Sequence, residues 1–270
     1  MGCVGRPLQS ILTIMYEQIT EQEQKEQNPF RTMELKEATV IQDYFDWANP
    51  MLRVTWDKTT TPKEYTPEYI VSHPDETIVL GVYEGSALVA GGKVTILNEE
   101  EKKRLETNSE LHAEKCALLE YVAVKEESRG KHILLDLIEK RLDWAEKNEV
   151  RYMYSEMELD NPISSIPKVK KGFKIYSVRP SGAGISTPYL VLRKDMSEIP
   201  TATESSETNT LEKTEVLVTE DSYNELAQLF NDGWVGIDIT ADEQLLTVDH
   251  ISPDKKQAPW KLTLERQPQA

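Results

Sequence analysis

The chain has 270 residues, two cysteines and a net charge of −16, which is enough length to bury a core without disulfide staples. So few cysteines point to a reducing compartment, and the acidity argues against a nucleic-acid surface. No apolar run approaches the roughly 20 residues that span a bilayer.

The first residues, Met1-Gly2-Cys3-Val4-Gly5-Arg6, place Arg6 where a myristoylation signal wants Ser or Thr. Leu8 to Tyr16 is interrupted by Gln9, Ser10 and Thr13, unlike the apolar core of a signal peptide. A cytoplasmic protein with neither membrane nor nucleic acid as partner is expected. Residues 1–30 end in the polar run Glu21 to Gln27 and read as a flexible extension.

Lys36 to Ala48 carries Ala38, Ile41, Tyr44, Phe45 and Ala48 at helical spacing, and Pro62 to Val71 reads as a second helix started by Pro62. Thr77–Tyr83 and Ser86–Leu97 are β-rich and joined by Glu84-Gly85, a hairpin signal. Asn98 to Glu114 reads as a loop or a short exposed helix. Ala117 to Val124 is an apolar strand. Lys131 to Lys147 is a helix with Leu134, Leu137, Ile138, Leu142 and Ala145 on its stripe. Strand Arg151–Met157, a short helix Asn161–Lys171 closed by Gly172, and strands Lys174–Val178 and Thr187–Arg193 complete an α/β pattern.

Residues 197–211, rich in Thr, Ser and Glu, read as a linker between a domain at 31–196 and a small C-terminal α+β module at 212–270. In that module Val216–Val218, Trp234–Ile239 and Leu245–Val248 suggest strands, and Glu220–Asn231 a helix. Its own core would be thin, so it should dock on the larger domain, a second copy of the chain or another protein. After Met196 there are 15 acidic and 5 basic residues, so the acidity says little about what the larger domain handles.

The chemistry concentrates where the buried strand Leu118-Leu119-Glu120-Tyr121-Val122-Ala123-Val124 passes through Lys125–Arg129 into the helix after Gly130. Unpaired N–H groups and the dipole at a helix start suit an anion such as a pyrophosphate, and Arg129 and Lys131 add positive charge. Glu120 is an oddity on a strand side shared with Leu118, Val122 and Val124. It is either a general base or a carboxylate paired with a nearby Lys or Arg. Glu156 and Glu158 are lesser candidates. Cys116 reads as a small apolar residue, and His73, His112, His132 and His250 show no metal-ligand spacing.

Val124 followed by Arg129-Gly130-Lys131 and a long helix resembles the acyl-CoA motif of the GNAT superfamily of N-acetyltransferases. Upstream, the helix-helix-hairpin order is similar to the start of that fold. Downstream, strand Arg151–Met157, Asn161 and Gly172-Phe173 match its Asn … Gly-Phe pattern. The resemblance covers about residues 32–195. It implies a GNAT-like mixed, mostly antiparallel central sheet flanked by helices.

The resemblance also implies acetyl-CoA as co-substrate, with no metal, and an amine acceptor that is a small molecule or a protein. Its residues would be Glu120 as base and, around the cofactor, Val122, Val124, Arg129, Gly130, Lys131, His132, Ile133 and Asn161. Two departures stand out. His132 and Leu134 occupy the motif's loop glycine positions, and ordinary helix-start backbone angles are expected there. Lys168 stands seven residues after Asn161, where many relatives place a Tyr to protonate the leaving thiolate. Lys168, Lys170 and Lys171 would offer charge to CoA phosphates or form a solvated face. An N-acyltransferase moving an acetyl or other acyl group fits this pattern, and so does a catalytically silent module of this type that senses acyl-CoA or binds a partner and regulates it.

Overall fold

A tight hairpin anchors the sheet: β2 (Thr77–Glu84) and β3 (Ala87–Ile96) pair antiparallel around Gly85, whose φ of +62° glycine adopts without strain. The computed structural model describes residues 29–52, 63–106, 108–159, 161–180, 188–198, 211–219, 221–240 and 260–267. Their strands form one sheet in the order β1-β2-β3-β4-β5-β7-β6-β9-β10-β8. The others are β1 (Phe30–Glu34), β4 (Cys116–Val124), β5 (Tyr152–Glu158), β6 (Lys174–Arg179), β7 (Tyr189–Asp195), β8 (Lys213–Val218), β9 (Trp234–Thr240) and β10 (Trp260–Arg266). β4 and β5 run parallel and the other neighbours antiparallel. This is the mixed, mostly antiparallel sheet expected.

Helices cover both faces. On one face α1 (Ala38–Leu52) and α2 (Pro67–Ser72) bury Ile41, Tyr44, Phe45, Ala48 and Ile70 against Val79 and Ala123. On the other, α4 (Ile133–Lys147) and α5 (Ile166–Lys170) pack on the main core. Further along the first face lies α3 (Glu99–Leu105), begun by a capping box of Asn98 with Glu101. It buries Leu105 near Cys116, Leu118 and Tyr154, while most of the described residues between Asn98 and Glu114 are exposed, so the short exposed helix of the sequence reading is present and anchored by Leu105. No helix among the described residues is long and apolar enough to cross a membrane.

Several boundaries move. The second helix begins at Pro67, not Pro62, and Lys63–Tyr65 before it is a 3₁₀ turn. The helix expected from Lys131 starts at Ile133, and its buried stripe is Ile133, Leu137, Ile138, Arg141 and Ala145. An arginine lies on that stripe, while Leu134 and Leu142 are half-buried.

The C-terminal residues continue the sheet. β9 meets β6 at Ile175↔Gly236, where a Cβ on Gly236 would stand 2.9 Å from that of Ile175, so glycine permits the approach. Helix α6 (Tyr223–Asn231) adds Leu226 to the main core, alongside Trp234, Ile239, Trp260, Leu262 and Leu264. The buried indole Nε1 of Trp260 donates to the Leu159 carbonyl at 3.1 Å. Of the alternatives for docking, these residues take the larger domain's own core. β10 pairs with both β8 and β9 and had no counterpart in the sequence reading. The expected strand Leu245–Val248 lies outside the described residues, as do residues 1–28 of the extension and most of the 197–211 linker.

Candidate active site

The parallel ladder between β4 and β5 runs from Cys116↔Tyr152 to Leu119↔Ser155 and stops, although β4 continues to Val124 and β5 to Glu158. Ser155 closes its end by donating to the Leu119 carbonyl at 3.1 Å. A fork in the middle of the sheet results, and Glu120 is the first residue beyond the pairing on β4.

The other edge of β4 explains why the strand leaves its partner. Gly91 pairs with Ala123 and Lys93 with Glu120, so Tyr121 and Val122 together oppose Gly92, a β-bulge. Tyr121 has φ +57°, a left-handed conformation that a bulky residue keeps only when its surroundings enforce it. The Tyr44 hydroxyl donates to the Tyr121 carbonyl, and the Tyr121 ring lies against Phe45 at 4.8 Å and Tyr65 at 6.0 Å. Gly91 is required beneath: a Cβ there would stand 2.5 Å from the Tyr44 ring.

Glu120 is held on the face covered by α1. Its Oε1 accepts from Lys93 Nζ at 3.0 Å and from Thr95 Oγ1 at 2.9 Å, and its Oε2 accepts from the Tyr65 hydroxyl. The Lys93 side chain is fully buried, that of Glu120 is 15% exposed, and Lys93 Nζ lies 3.4 Å from the Tyr65 ring centroid. The carboxylate therefore both pairs with a lysine and stands at the mouth of the fork. Lys93, Thr95 and Tyr65 were not foreseen. Alternation on Ser86–Leu97 could have shown Lys93 inward, but only pairing register shows which residue it meets.

On the opposite face lies a buried cationic pair. Arg141, fully buried, donates from Nε to the Leu137 carbonyl at 3.1 Å, and one of its NH2 groups has no partner among the described residues. Burial pulls its guanidinium down to about 9, against the opposing influence of Tyr44 and Glu120. Lys168 on α5 is 5% exposed, neither a solvated lysine nor one reaching outward to phosphates. Burial, then the Arg141 charge, lowers its ammonium to about 7, with Glu156 opposing.

The loop residues lie as a group at the start of α4. Arg129 is exposed and its Nε reaches the Val124 carbonyl at 3.4 Å. Gly130 has φ +73° with nothing within 4 Å of a Cβ built on it. Lys131 pairs loosely with Glu84 at 3.4 Å. His132 is the N-cap at φ +59° and makes no side-chain capping bond, which corrects the expectation of ordinary helix-start angles: this position has glycine geometry. Ile133 is buried and begins the helix. The α4 start thus lacks a side-chain cap and has open space and two cations beside it, which fits an anionic phosphate group. Val122 and Val124 are half-buried along the β4 arm of the fork, and Asn161 stands where β5 has ended, before the 3₁₀ turn Pro162–Ser164.

Other titratable groups of this part of the sheet are engaged elsewhere. Glu156 is clasped by Arg104 at 2.6 and 3.0 Å. Tyr154 donates to Glu106, which also pairs with Arg193, and Arg193 stacks on Tyr176 at 3.8 Å. Burial pushes the Cys116 thiol up to about 11, the behaviour of an inert buried cysteine.

The model of the acetyltransferase (GNAT) family matches residues 41–165. No curated protein sequence matches the chain significantly. Similar solved structures include an N-acetyltransferase from Staphylococcus aureus Mu50, 17% identical with a TM-score of 0.44, covering 62% of this chain and 97% of that one. Another is the ribosomal-protein-S18-alanine N-acetyltransferase of Escherichia coli, 12% identical with a TM-score of 0.46, covering 64% of this chain and 98% of that one. A third is Arabidopsis thaliana NAA60 in complex with acetyl-CoA, 10% identical with a TM-score of 0.48, covering 62% and 98% respectively. The stretch that matches the acetyltransferase (GNAT) family model, residues 41–165, takes in most of α1, the bulged strand β4, the fork and the start of α4.

Proposed function

We propose that the chain moves an acyl group from CoA to an amine by direct transfer. The observation that carries this reading is the β4–β5 fork with Glu120 at its mouth. CoA would place its pyrophosphate on the amides of Gly130 to Ile133 beside Arg129 and Lys131, and its thioester arm in the fork along Val122 and Val124, toward Asn161. A strand amide near Val122 would meet the developing oxyanion. Glu120 accepts the proton that the amine must lose.

Lys168 supplies the proton for the departing thiolate. With its ammonium lowered to about 7, it lies within reach of a thiol's ordinary value of about 8.5, where proton transfer is efficient. Base and acid then approach the thioester from opposite faces of the sheet, which separates the amine from the leaving group. The chain works without a metal in this scheme, most of the rate coming from positioning and oxyanion stabilisation. The acceptor is a small-molecule or protein amine.

A second reading is a silent acyl-CoA-binding module, favoured by one observation: Lys93, Thr95 and Tyr65 already bond to Glu120. Thiol release from acetyl-CoA with a panel of amines separates the two. Release that depends on the amine supports transfer. A raised melting temperature with acetyl-CoA, without release for any amine, supports the silent module.

A further inference from the structure

Granted the reading of Glu120 as base, its hydrogen bonds raise a question of access. An ionised carboxylate offers about four lone-pair sites. On Oε1 both are taken, by the fully buried Lys93 and by Thr95, itself buried. A proton can therefore reach this carboxylate only at Oε2. Among the described residues the donor on Oε2 is the Tyr65 hydroxyl. Tyr65 ends the 3₁₀ turn Lys63–Tyr65 and is half-buried, in contrast to the sealed lysine behind it.

We propose that the Tyr65 hydroxyl carries the acceptor's proton to Glu120. The acceptor ammonium gives a proton to the Tyr65 oxygen as Tyr65 passes its own hydroxyl proton to Oε2. The amine is left neutral, Tyr65 unchanged and Glu120 a carboxylic acid, which returns its proton to solvent after transfer. Two features support the relay. The negative charge that gathers on the phenol oxygen in mid-transfer is stabilised by the Lys93 ammonium, 3.4 Å from the ring centroid. The ring is held between Lys93 and Tyr121, at 6.0 Å from the latter, so the hydroxyl stays aimed at Oε2. Tyr65 is then a catalytic residue, since its oxygen receives the substrate's proton.

The test is Tyr65→Phe, which keeps the ring and its contacts with Lys93 and Tyr121, assayed with amines of graded basicity at pH 7.5. A relay matters most for amines that arrive protonated and least for those already neutral in solution. Thiol release should fall about 10²-fold or more for alkylamines, with the KM for acetyl-CoA unchanged. The deficit should shrink below about 10-fold for amines with pKa under 7. Combined with Glu120→Gln, the loss should be no greater than for Glu120→Gln alone, since the two act as one unit.

An equal deficit for all amines would assign Tyr65 a merely structural part and overturn the relay while leaving the transferase reading intact. Wild-type protein that releases no thiol with any amine overturns both. If Tyr65→Phe melts non-cooperatively, 3-fluorotyrosine at position 65 keeps the hydroxyl and alters its acidity. An altered rate with alkylamines alone supports the relay, and a rate unchanged with every amine overturns it.

Discussion

Lys93 and Glu120 face each other across the β3–β4 ladder, ammonium to carboxylate at 3.0 Å, with the lysine fully buried and the glutamate reaching the surface. This arrangement joins stability to activity at one residue. Glu120→Gln keeps the shape, removes the base and weakens the partner of a buried cation. Breaking a buried pair costs about 3–5 kcal/mol, and the lower end applies because the Gln carbonyl still accepts from Lys93. The variant should melt lower, and its turnover per folded molecule should fall about 10²- to 10⁴-fold. Thermal melting with thiol release on the same preparation measures both. A lower melting point with unaltered turnover per folded molecule would remove Glu120 from the catalytic scheme.

At the α4 start, acetyl-CoA should raise the melting temperature as any native-state ligand does. Arg129→Glu should abolish that shift, because it reverses an exposed positive charge beside the α4 start. Differential scanning fluorimetry with and without acetyl-CoA checks this, and an undiminished shift would place the pyrophosphate elsewhere.

The Lys168 ammonium, lowered to about 7, has a stability signature with a definite sign. The unfolded chain titrates this group near 10.4, so between about pH 7 and 10.4 the unfolded state binds more protons than the folded one. Stability contributed by this site therefore rises with pH across that window and is least below pH 7. Lys168→Met should melt higher than the wild type by the widest margin near pH 6, and the margin should close toward pH 10. Its rate of thiol release should fall at every pH. A margin independent of pH would mean that Lys168 keeps its ordinary protonation when buried.

Gly91→Ala places a methyl group 2.5 Å from the Tyr44 ring, which must move. Overpacking of this kind costs about 1–3 kcal/mol. It also disturbs the hydroxyl that holds the Tyr121 carbonyl, and with it the bulge. Urea denaturation should show the loss, and the KM for acetyl-CoA should rise. Destabilisation with an unchanged KM would separate the bulge from cofactor binding.

The shared core makes the C-terminal residues part of the domain's stability. Trp260→Ala removes a side chain that is 3% exposed and bonded to Leu159, and should cost about 3–5 kcal/mol. A chain ending at Met196 uncovers Ile175 and Val178 and should melt lower or aggregate. Calorimetry would decide, and an unchanged melting temperature for the shortened chain would show two independent cores.

The sequence by itself determined the element order from the first helix to β7 apart from α3, the hairpin at Gly85, the family resemblance and the prominence of Glu120. Each is local: a period of 3.6 or 2, a turn residue, or one carboxylate in an apolar run. The register of pairing over long separations carries no such mark, and the tertiary structure decided it. It sets Lys93, 27 residues before Glu120, against that carboxylate, and inserts two residues opposite Gly92 to open β4 from β5. Tyr65 reaches Oε2 because α1 and α2 settle on one face. Lys168 loses its solvent because α5 packs on α4, and that burial turns a surface-looking lysine into one titrating near neutrality. The C-terminal strands read as a separate module because their alternation shows an apolar face but not its partner. Only the folded chain, with β9 meeting β6 at Gly236, supplies that partner.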